Sequence, residues 1–469
     1  MHKHTLEGYY TRILLFFGLL CVFIVPPFQM VDEDSHFKKA YLVSNFVILP
    51  DVIDGHYGNL LPKSLLEFEH NHRYMIRDVT QKYNYSKFYF SYALPQDYSE
   101  KQFATFSTSK THPLLYLPQA SGILVAKIMF LFNEDLLTPG TILYAGRIGN
   151  LLFFALCFYF AVKWIPFLKR TAVLVGLMPM TMGLASSLNY DAMVIGVSLL
   201  FIAYVFKLAY TNDSIGTKEI VILCVFSIAL IEMKMVYFPL LGLFFLVPKK
   251  KFKSTWDYIK NFAIIVFSGI FVHAAWGLIT RIGLASPSDD SGYILDQAKF
   301  ILNNPVNYTG ILIRSIFENF QFYIISFVGN LGWLDTNFPY VFIFGYLLFL
   351  VLASLFDSNG IALKASNRLL LFFVFISIVI LIETSLYLIW TSIPEIGGIG
   401  YPVITGVQGR YFIPCSLALL AIFSNALLSR SKWGGKTTVV LDRCLPMFVL
   451  FSCILMDLIL ILRYWVPEV

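Results

Sequence analysis

Three carboxylates and a histidine follow the first long apolar stretch of this chain: Asp32, Glu33, Asp34 and His36. The stretch before them, residues 13–31, is broken only by Pro26, Pro27 and Gln29. A charge at the bilayer centre costs about 2.5 kcal/mol or more, so charges gather where a helix leaves the membrane. Acids at that point can hold a metal, repel a partner, or exchange protons with something delivered by the lipid. A solvated charge closing a span accounts for one acid. It accounts less well for three acids beside a histidine, with apolar Phe37, Ala40 and Tyr41 following. A helix starting here would carry the acids at its amino end, where its dipole favours them. That explains the acids but not His36.

Other chemistry-bearing residues stand at the ends of later apolar runs. Asp191, in the turn Asn189-Tyr190-Asp191, is either a helix cap or a second carboxylate for the same cavity. Glu232 and Lys234, at another tight turn, either pair with each other or serve a ligand. Asp335 closes the Gly-rich turn Gly329–Asp335, a secondary candidate. Gln408 and Arg410 open a span in Gly406–Pro414. An arginine at a helix amino end suits a phosphate, because its planar fork and free backbone N–H groups converge there. Arg147 lies inside the outer half of a span. It either pairs with an acid of the first loop or adds a second cation near the same headgroup.

The elements that must position these residues follow from composition. The 469 residues are 57% hydrophobic and 14% charged, with mean hydropathy +0.69, which defines a polytopic membrane protein. The expected fold is all-α, a single integral-membrane domain over 1–469 with about eleven transmembrane helices. The runs lie near 12–31, 140–162, 171–188, 190–210, 218–233, 235–248, 261–280, 338–356, 369–390, 411–428 and 445–463. With the amino terminus inside, the cytoplasmic side collects Lys163, Lys169, Arg170, Lys249–Lys251, Lys253, Arg368, Arg430 and Arg443, as the positive-inside rule asks. Were 113–132 also a span, the lysines at 249–253 would face outward. So 113–132 and 310–329 read as interfacial or re-entrant.

Two long outer loops result, 32–139 and 281–337, the first with interfacial helices at either end. Long loops in a compact protein are usually functional. His70 and His72 in the polar part of the first loop read as exposed. The net charge of +6 resides mostly in cytoplasmic loops, so nucleic acid is a poor partner. None of the six cysteines has disulfide or zinc spacing. Gly434-Gly435-Lys436-Thr437 ends like a phosphate loop but has Arg430 where the earlier glycine belongs.

Outer carboxylates, outer arginines and no nucleotide-binding motif suit a lipid-phosphate donor. A sugar on a polyprenyl phosphate brings its own leaving group, since phosphate departs as a stable anion. One base must take a proton from the acceptor hydroxyl, and cations must hold the phosphate. Asp32 is the candidate base, with Arg410 and Arg147 for the phosphate. Asp34, His36, Asp191, Lys234, Asp335 and Gln408 are candidate substrate contacts. One carboxylate suffices for attack opposite the leaving group, which inverts the anomeric centre.

The first-loop pattern resembles that of the GT-C glycosyltransferases. Asp32-Glu33-Asp34-Ser35-His36-Phe37 matches the Asp-Glu-x-x-His-Phe that opens the first loop of protein O-mannosyltransferases. The related position in aminoarabinose transferases acting on lipid A is also an Asp followed by an acid. His112-Pro113-Leu114 is similar to a second element of that loop. The resemblance implies that Asp32 is catalytic with Glu33 in support, that Arg147 contacts donor phosphate, and that no metal is required. The four residues 32, 33, 34 and 36 by themselves leave a divalent ion open. A resemblance over most of the chain is to a bacterial membrane family of unknown function, family 2142. Residues 27–36, 144–150, 179–191, 329–335 and 406–414 carry it.

The expected protein is thus a multi-pass bacterial membrane glycosyltransferase with its site on the outer face. It would move a sugar from a polyprenyl-phosphate donor to a surface or lipid-linked glycan. The rival readings are a flippase for lipid-linked glycans and an assembly partner without catalysis. Flippases of this kind often carry inverted repeats, and none is visible here.

Overall fold

A computed structural model describes residues 5–94, 99–212, 215–283 and 290–467. The architecture is all-α. Among the described residues, six helices are long and apolar enough to cross a membrane: α1 (Leu6–Ile24), α6 (Pro139–Trp164), α9 (Asp191–Tyr210), α11 (Thr255–Gly283), α16 (Ala365–Leu386) and α19 (Lys432–Tyr464). They coincide with six of the expected runs. Local signals set their starts. Thr138 caps α6 by accepting from Thr141 N–H, and Pro139 occupies the first turn, where its missing N–H costs nothing.

The other five runs are shorter pieces. Residues 171–188 are not one helix but two, α7 (Lys169–Gly176) and α8 (Pro179–Ala185). Pro179 forces Met178 into an extended conformation, which ends the first helix. From Thr171 onward both pieces are buried in protein, where a broken helix is tolerated at membrane depth. Residues Met235–Leu246 form a 3-10 helix. Its steeper rise carries twelve residues over about 24 Å, nearly a hydrocarbon thickness. Helices α10 (Thr217–Met233) and α15 (Tyr340–Phe356) have 17 residues each. A 3-10 turn, Gly409–Phe412, leads into α17 (Ile413–Phe423).

The loops that the charge pattern groups together do meet at one end of the helices. Arg170 reaches Asp357 at 3.1 Å and Asp442 at 2.7 Å, and Arg430 donates to the carbonyl of Gly360. At the other end stand Asp32, Asn189, Lys234, Asp335 and Arg410. The first loop adds α2 (Glu33–Ser44), α3 (Lys63–His72), α4 (Tyr85–Ala93) and α5 (Leu117–Met129) at this end. It also holds an antiparallel sheet, β1 (Asp51–Ile53), β2 (His56–Pro62) and β3 (Lys101–Thr105), in the order β1-β2-β3. Gly122 and Gly149 let α5 and α6 touch. A Cβ at either would overlap a carbonyl oxygen of the facing helix, Ala145 or Pro118.

Helix α12 (Asp290–Asn303) opens the described part of the second loop. Helices α13 (Pro305–Glu318) and α14 (Phe320–Val328) follow, bent by 54° at Asn319. Tyr308, Asn319, Tyr323 and Ser326 bond to Thr384, Ile404, Glu383 and Gly409. Those partners all lie at the Asp32 end, so the bent pair lies along that end.

Candidate functional site

Asp32 precedes α2 in the left-handed conformation, with φ of 61°. Its carbonyl accepts from Ser35 and His36 N–H, but its side chain caps nothing. An aspartate at a helix start normally spends its carboxylate on the cap. Here the backbone does the capping and the carboxylate is released, 48% exposed, toward a cavity. A non-glycine residue held at positive φ is a cost that surrounding structure must sustain.

Arg410 Nη2 donates to Asp32 Oδ2 at 3.0 Å. The guanidinium is 3% exposed, and its Nε and Nη1 have no hydrogen-bond partner. Asp191 Oδ2 stands 3.6 Å from Nε, close enough for attraction but too far for a hydrogen bond. The other oxygen of Asp191 accepts from Lys234 Nζ at 2.7 Å. The ammonium lies over the rings of Tyr190 and Tyr411, 4.9 and 4.7 Å from their centroids. Asp32, Arg410, Asp191 and Lys234 thus form one alternating chain of charges drawn from four distant segments.

Two features fix this chain. Gly409 N–H donates to Ser326 Oγ at 2.8 Å, and a Cβ on Gly409 would overlap the carbonyl oxygen of Tyr323. Only glycine allows the Arg410 turn to sit so close to α14. Asn189 Oδ1 accepts from Asp191 N–H, while Asn189 Nδ2 donates to the carbonyl of Val31, beside Asp32. Asn189 is a positioning residue that only its place in a tight turn hinted at.

Of the two readings of Arg147 the structure takes the pair with a first-loop acid, which is Glu33, and not the phosphate contact. Both side chains are fully buried and form a two-pronged pair: Nε to Oε1 at 2.8 Å and Nη2 to Oε2 at 2.6 Å. The remaining N–H groups of Arg147 go to the carbonyls of Val22, Val25 and Pro26. All five donors of the guanidinium are therefore used, and none is left for a phosphate. Glu33 also accepts from the N–H groups of Phe28 and Leu188. The pair clamps the exit of α1 to α6 and holds Asp32 in place. Glu33 touches neither the cavity nor Arg410's free donors, so it is a positioning residue.

Asp34 is corrected too. It pairs with Arg73 at 2.9 Å, and Arg73 also reaches Glu69, which takes Lys38 at 2.6 Å. This network joins α2 to α3, and Asp34 makes no contact with Arg410 among the described ion pairs. His36 is buried between Tyr116, whose hydroxyl is 2.9 Å from Nδ1, and the edge of Tyr190. Burial pushes its imidazole down to about 4, so the ring is neutral near pH 7. The polar loop predicts both His70 and His72 in solvent. His70 is exposed, but His72 is buried. Its Nδ1–H donates to the carbonyl of Phe68, and Nε2 takes Ser91 or Tyr83. Glu232 and Lys234 do not pair with each other: Lys234 serves Asp191, and Glu232 faces His112 and His273.

The cavity beside Asp32 has a volume of about 610 Å3. Asp32, Arg77 and Gln408 supply its polar wall, and Phe322, Ile389 and Trp390 its apolar wall. The Gln408 Oε1 is buried without a partner. Asp335 is not in this wall. It accepts from Arg463 of α19 at 2.8 Å, and the turn it anchors presents Trp333 and Leu334 to the cavity. Arg77, Trp390 and Arg463 lie in unremarkable contexts, and no local pattern marks them. The three clustered acids Asp32, Glu33 and Asp34 take three different partners, Arg410, Arg147 and Arg73. Among the described residues no group of three or more His, Cys, Asp or Glu is arranged to hold a metal ion.

Fold and site together define an all-α integral-membrane protein. It carries a buried cation–carboxylate chain and an amphipathic cavity at one end of its helices. The chain belongs to the family of predicted membrane proteins DUF2142, whose model matches residues 15–419. The helix α19, which carries Arg463, lies beyond the matched residues. No curated protein and no solved structure matches the chain.

Proposed function

We propose that this protein is an inverting glycosyltransferase that takes a sugar from a polyprenyl-phosphate donor. The acceptor is a surface or lipid-linked glycan on the outer side of the membrane. The observation that carries the reading is Asp32, half-exposed in the wall of an amphipathic cavity and paired from behind with the buried Arg410. A guanidinium with two unpartnered, buried donors suits an anion, since leaving such donors unmade costs about 1–3 kcal/mol each. Neither N–H group opens into the cavity as it stands, so the donor phosphate reaches Arg410 only when the Gln408–Tyr411 wall shifts, while Arg77 already on the cavity wall supplies a cation in the place first expected of Arg147. The apolar wall of Phe322, Ile389 and Trp390 accommodates the first isoprene units. The volume falls in the usual range for ligand sites, about 300–1,000 Å3.

Asp32 then acts on the acceptor. Its carboxylate removes the hydroxyl proton as the acceptor oxygen bonds to the anomeric carbon. The bond from that carbon to the phosphate oxygen breaks on the opposite face, and polyprenyl phosphate leaves with the electron pair. Arg410 offsets the charge that grows on the leaving oxygen. The test is transfer of radiolabelled sugar from a polyprenyl-phosphate donor to glycan extracted from cells lacking the protein. Wild type supports incorporation and Asp32→Asn does not. Scrambling of the lipid in vesicles without incorporation would favour a flippase instead.

A further inference from the structure

A second cavity, of about 880 Å3, is lined by Glu232, Lys234, His112, His273, Trp276 and Lys110. Its carboxylate is unusual. The Glu232 side chain is 1% exposed, yet its Oε1 has no hydrogen-bond partner. His112 Nε2 and His273 Nδ1 each stand 3.6 Å from a carboxylate oxygen, beyond hydrogen-bonding distance. Both lysines are occupied elsewhere: Lys234 holds Asp191, and Lys110 lies over the ring of Tyr57 at 4.2 Å. A buried carboxylate in this state lacks donors that a ligand would supply.

The surroundings limit what that ligand is. His112 Nδ1 accepts from Leu114 N–H at 3.1 Å, so the ring proton sits on Nε2, on the side of Glu232. Burial holds this imidazole down at about 4, leaving it neutral. Trp276 packs its ring on His112 with centroids 4.4 Å apart. The lysines in the wall oppose a cationic ligand. The carboxylate opposes a phosphate. A carboxylate that accepts O–H donors, an imidazole N–H and an indole face together match a polyhydroxylated ring.

We infer that this cavity binds a neutral saccharide, with Glu232 accepting its hydroxyls and Trp276 covering its apolar face. The role of that saccharide as the acceptor glycan rests on the transferase reading; the binding itself does not. Lys234 lines this cavity and also closes the Asp32–Arg410–Asp191 chain, so it joins the two sites.

The test is equilibrium binding by saturation-transfer NMR, with the whole chain in lipid nanodiscs. The probes are maltotetraose, mannotetraose, cellotetraose and chitotetraose. Saturable binding of at least one is expected, weakened tenfold or more by Glu232→Ala and, separately, by Trp276→Ala. Asp32→Asn should bind the same saccharide as wild type even though it transfers nothing, which separates this site from the transferase reading. Trp276→Ala keeps the test decisive if Glu232→Ala does not fold. Absence of binding for every probe, or equal binding in both folded variants, would overturn the inference.

Discussion

Arg410 Nη2 lies 3.0 Å from Asp32 Oδ2, although 378 residues separate them in the chain. The contact joins the exit of the first span to the entrance of a much later one. It leaves Arg410 with two buried N–H groups unpartnered and leaves Asp32 half-exposed to a cavity. A structural ion pair satisfies its donors, as Arg147 does with Glu33. The contrast between the two arginines separates a clamp from a candidate binding group.

Arg147→Ala should therefore act on stability. Removing one partner of a buried pair costs about 3–5 kcal/mol, because Glu33 is left charged in the protein interior. Replacing both, as in Glu33→Gln with Arg147→Met, should recover part of that loss. Heat denaturation in detergent checks this. A normal melting midpoint together with weakened binding of undecaprenyl phosphate in Arg147→Ala would restore the arginine to the donor site.

Arg410→Lys should act on the donor. A lysine keeps the charge but loses the planar fork and the two free N–H groups. The expected result is a KM for the polyprenyl-phosphate donor raised about tenfold or more, matching the roughly 1.5–3 kcal/mol of a charge-assisted hydrogen bond. Steady-state kinetics at varied donor concentration measure it, with melting midpoint as the control.

Much of this arrangement was legible in the sequence. Asp32, Asp191, Lys234 and Arg410 all flank apolar runs, and a charge there must be paired or used. Arg147 was legible as a buried cation near an acid, but which acid was not. The partners of Asp34 and Glu232 lie 39 and 41 residues further on, at Arg73 and His273, where no local periodicity points to them. The sheet went unseen because β1 and β3 have only three and five residues and the central strand His56–Pro62 shows no regular apolar alternation. Pro179, by contrast, did mark the break within residues 171–188, and the apolarity of the run masked it. The 3-10 form of Met235–Leu246 has one mark in the sequence, Pro239 inside the run, which the run's apolarity masks.

Gly409→Ala should fail at the site more than in the fold at large. A Cβ there collides with the Tyr323 carbonyl, so the Arg410 turn must lift from α14. The outcome expected is loss of donor binding with only a moderate fall in melting midpoint. Gly435, which has open space around it, is the control: Gly435→Ala should leave both unchanged.

Acid should weaken the fold through His36 and His72. Both imidazoles are held at about 4 by burial, against about 6.5 when unfolded. Between those values the unfolded chain binds more protons, so stability is full above pH 6.5 and falls as pH drops toward 4. The loss is roughly 3 kcal/mol for each histidine. Melting midpoints at pH 7.5, 6 and 5 check the slope, and His72→Gln should flatten it. An unchanged slope in that variant would mean that His72 is not held neutral.

Under the proposed function, Asp32 removes the acceptor proton while Arg410 holds the phosphate. The most direct measurement compares Asp32→Asn with wild type in nanodiscs, for both undecaprenyl phosphate affinity and sugar transfer. Unchanged affinity is expected, with transfer reduced about 100-fold or more, the usual contribution of a general base. Transfer at the wild-type rate by Asp32→Asn would contradict this role for Asp32.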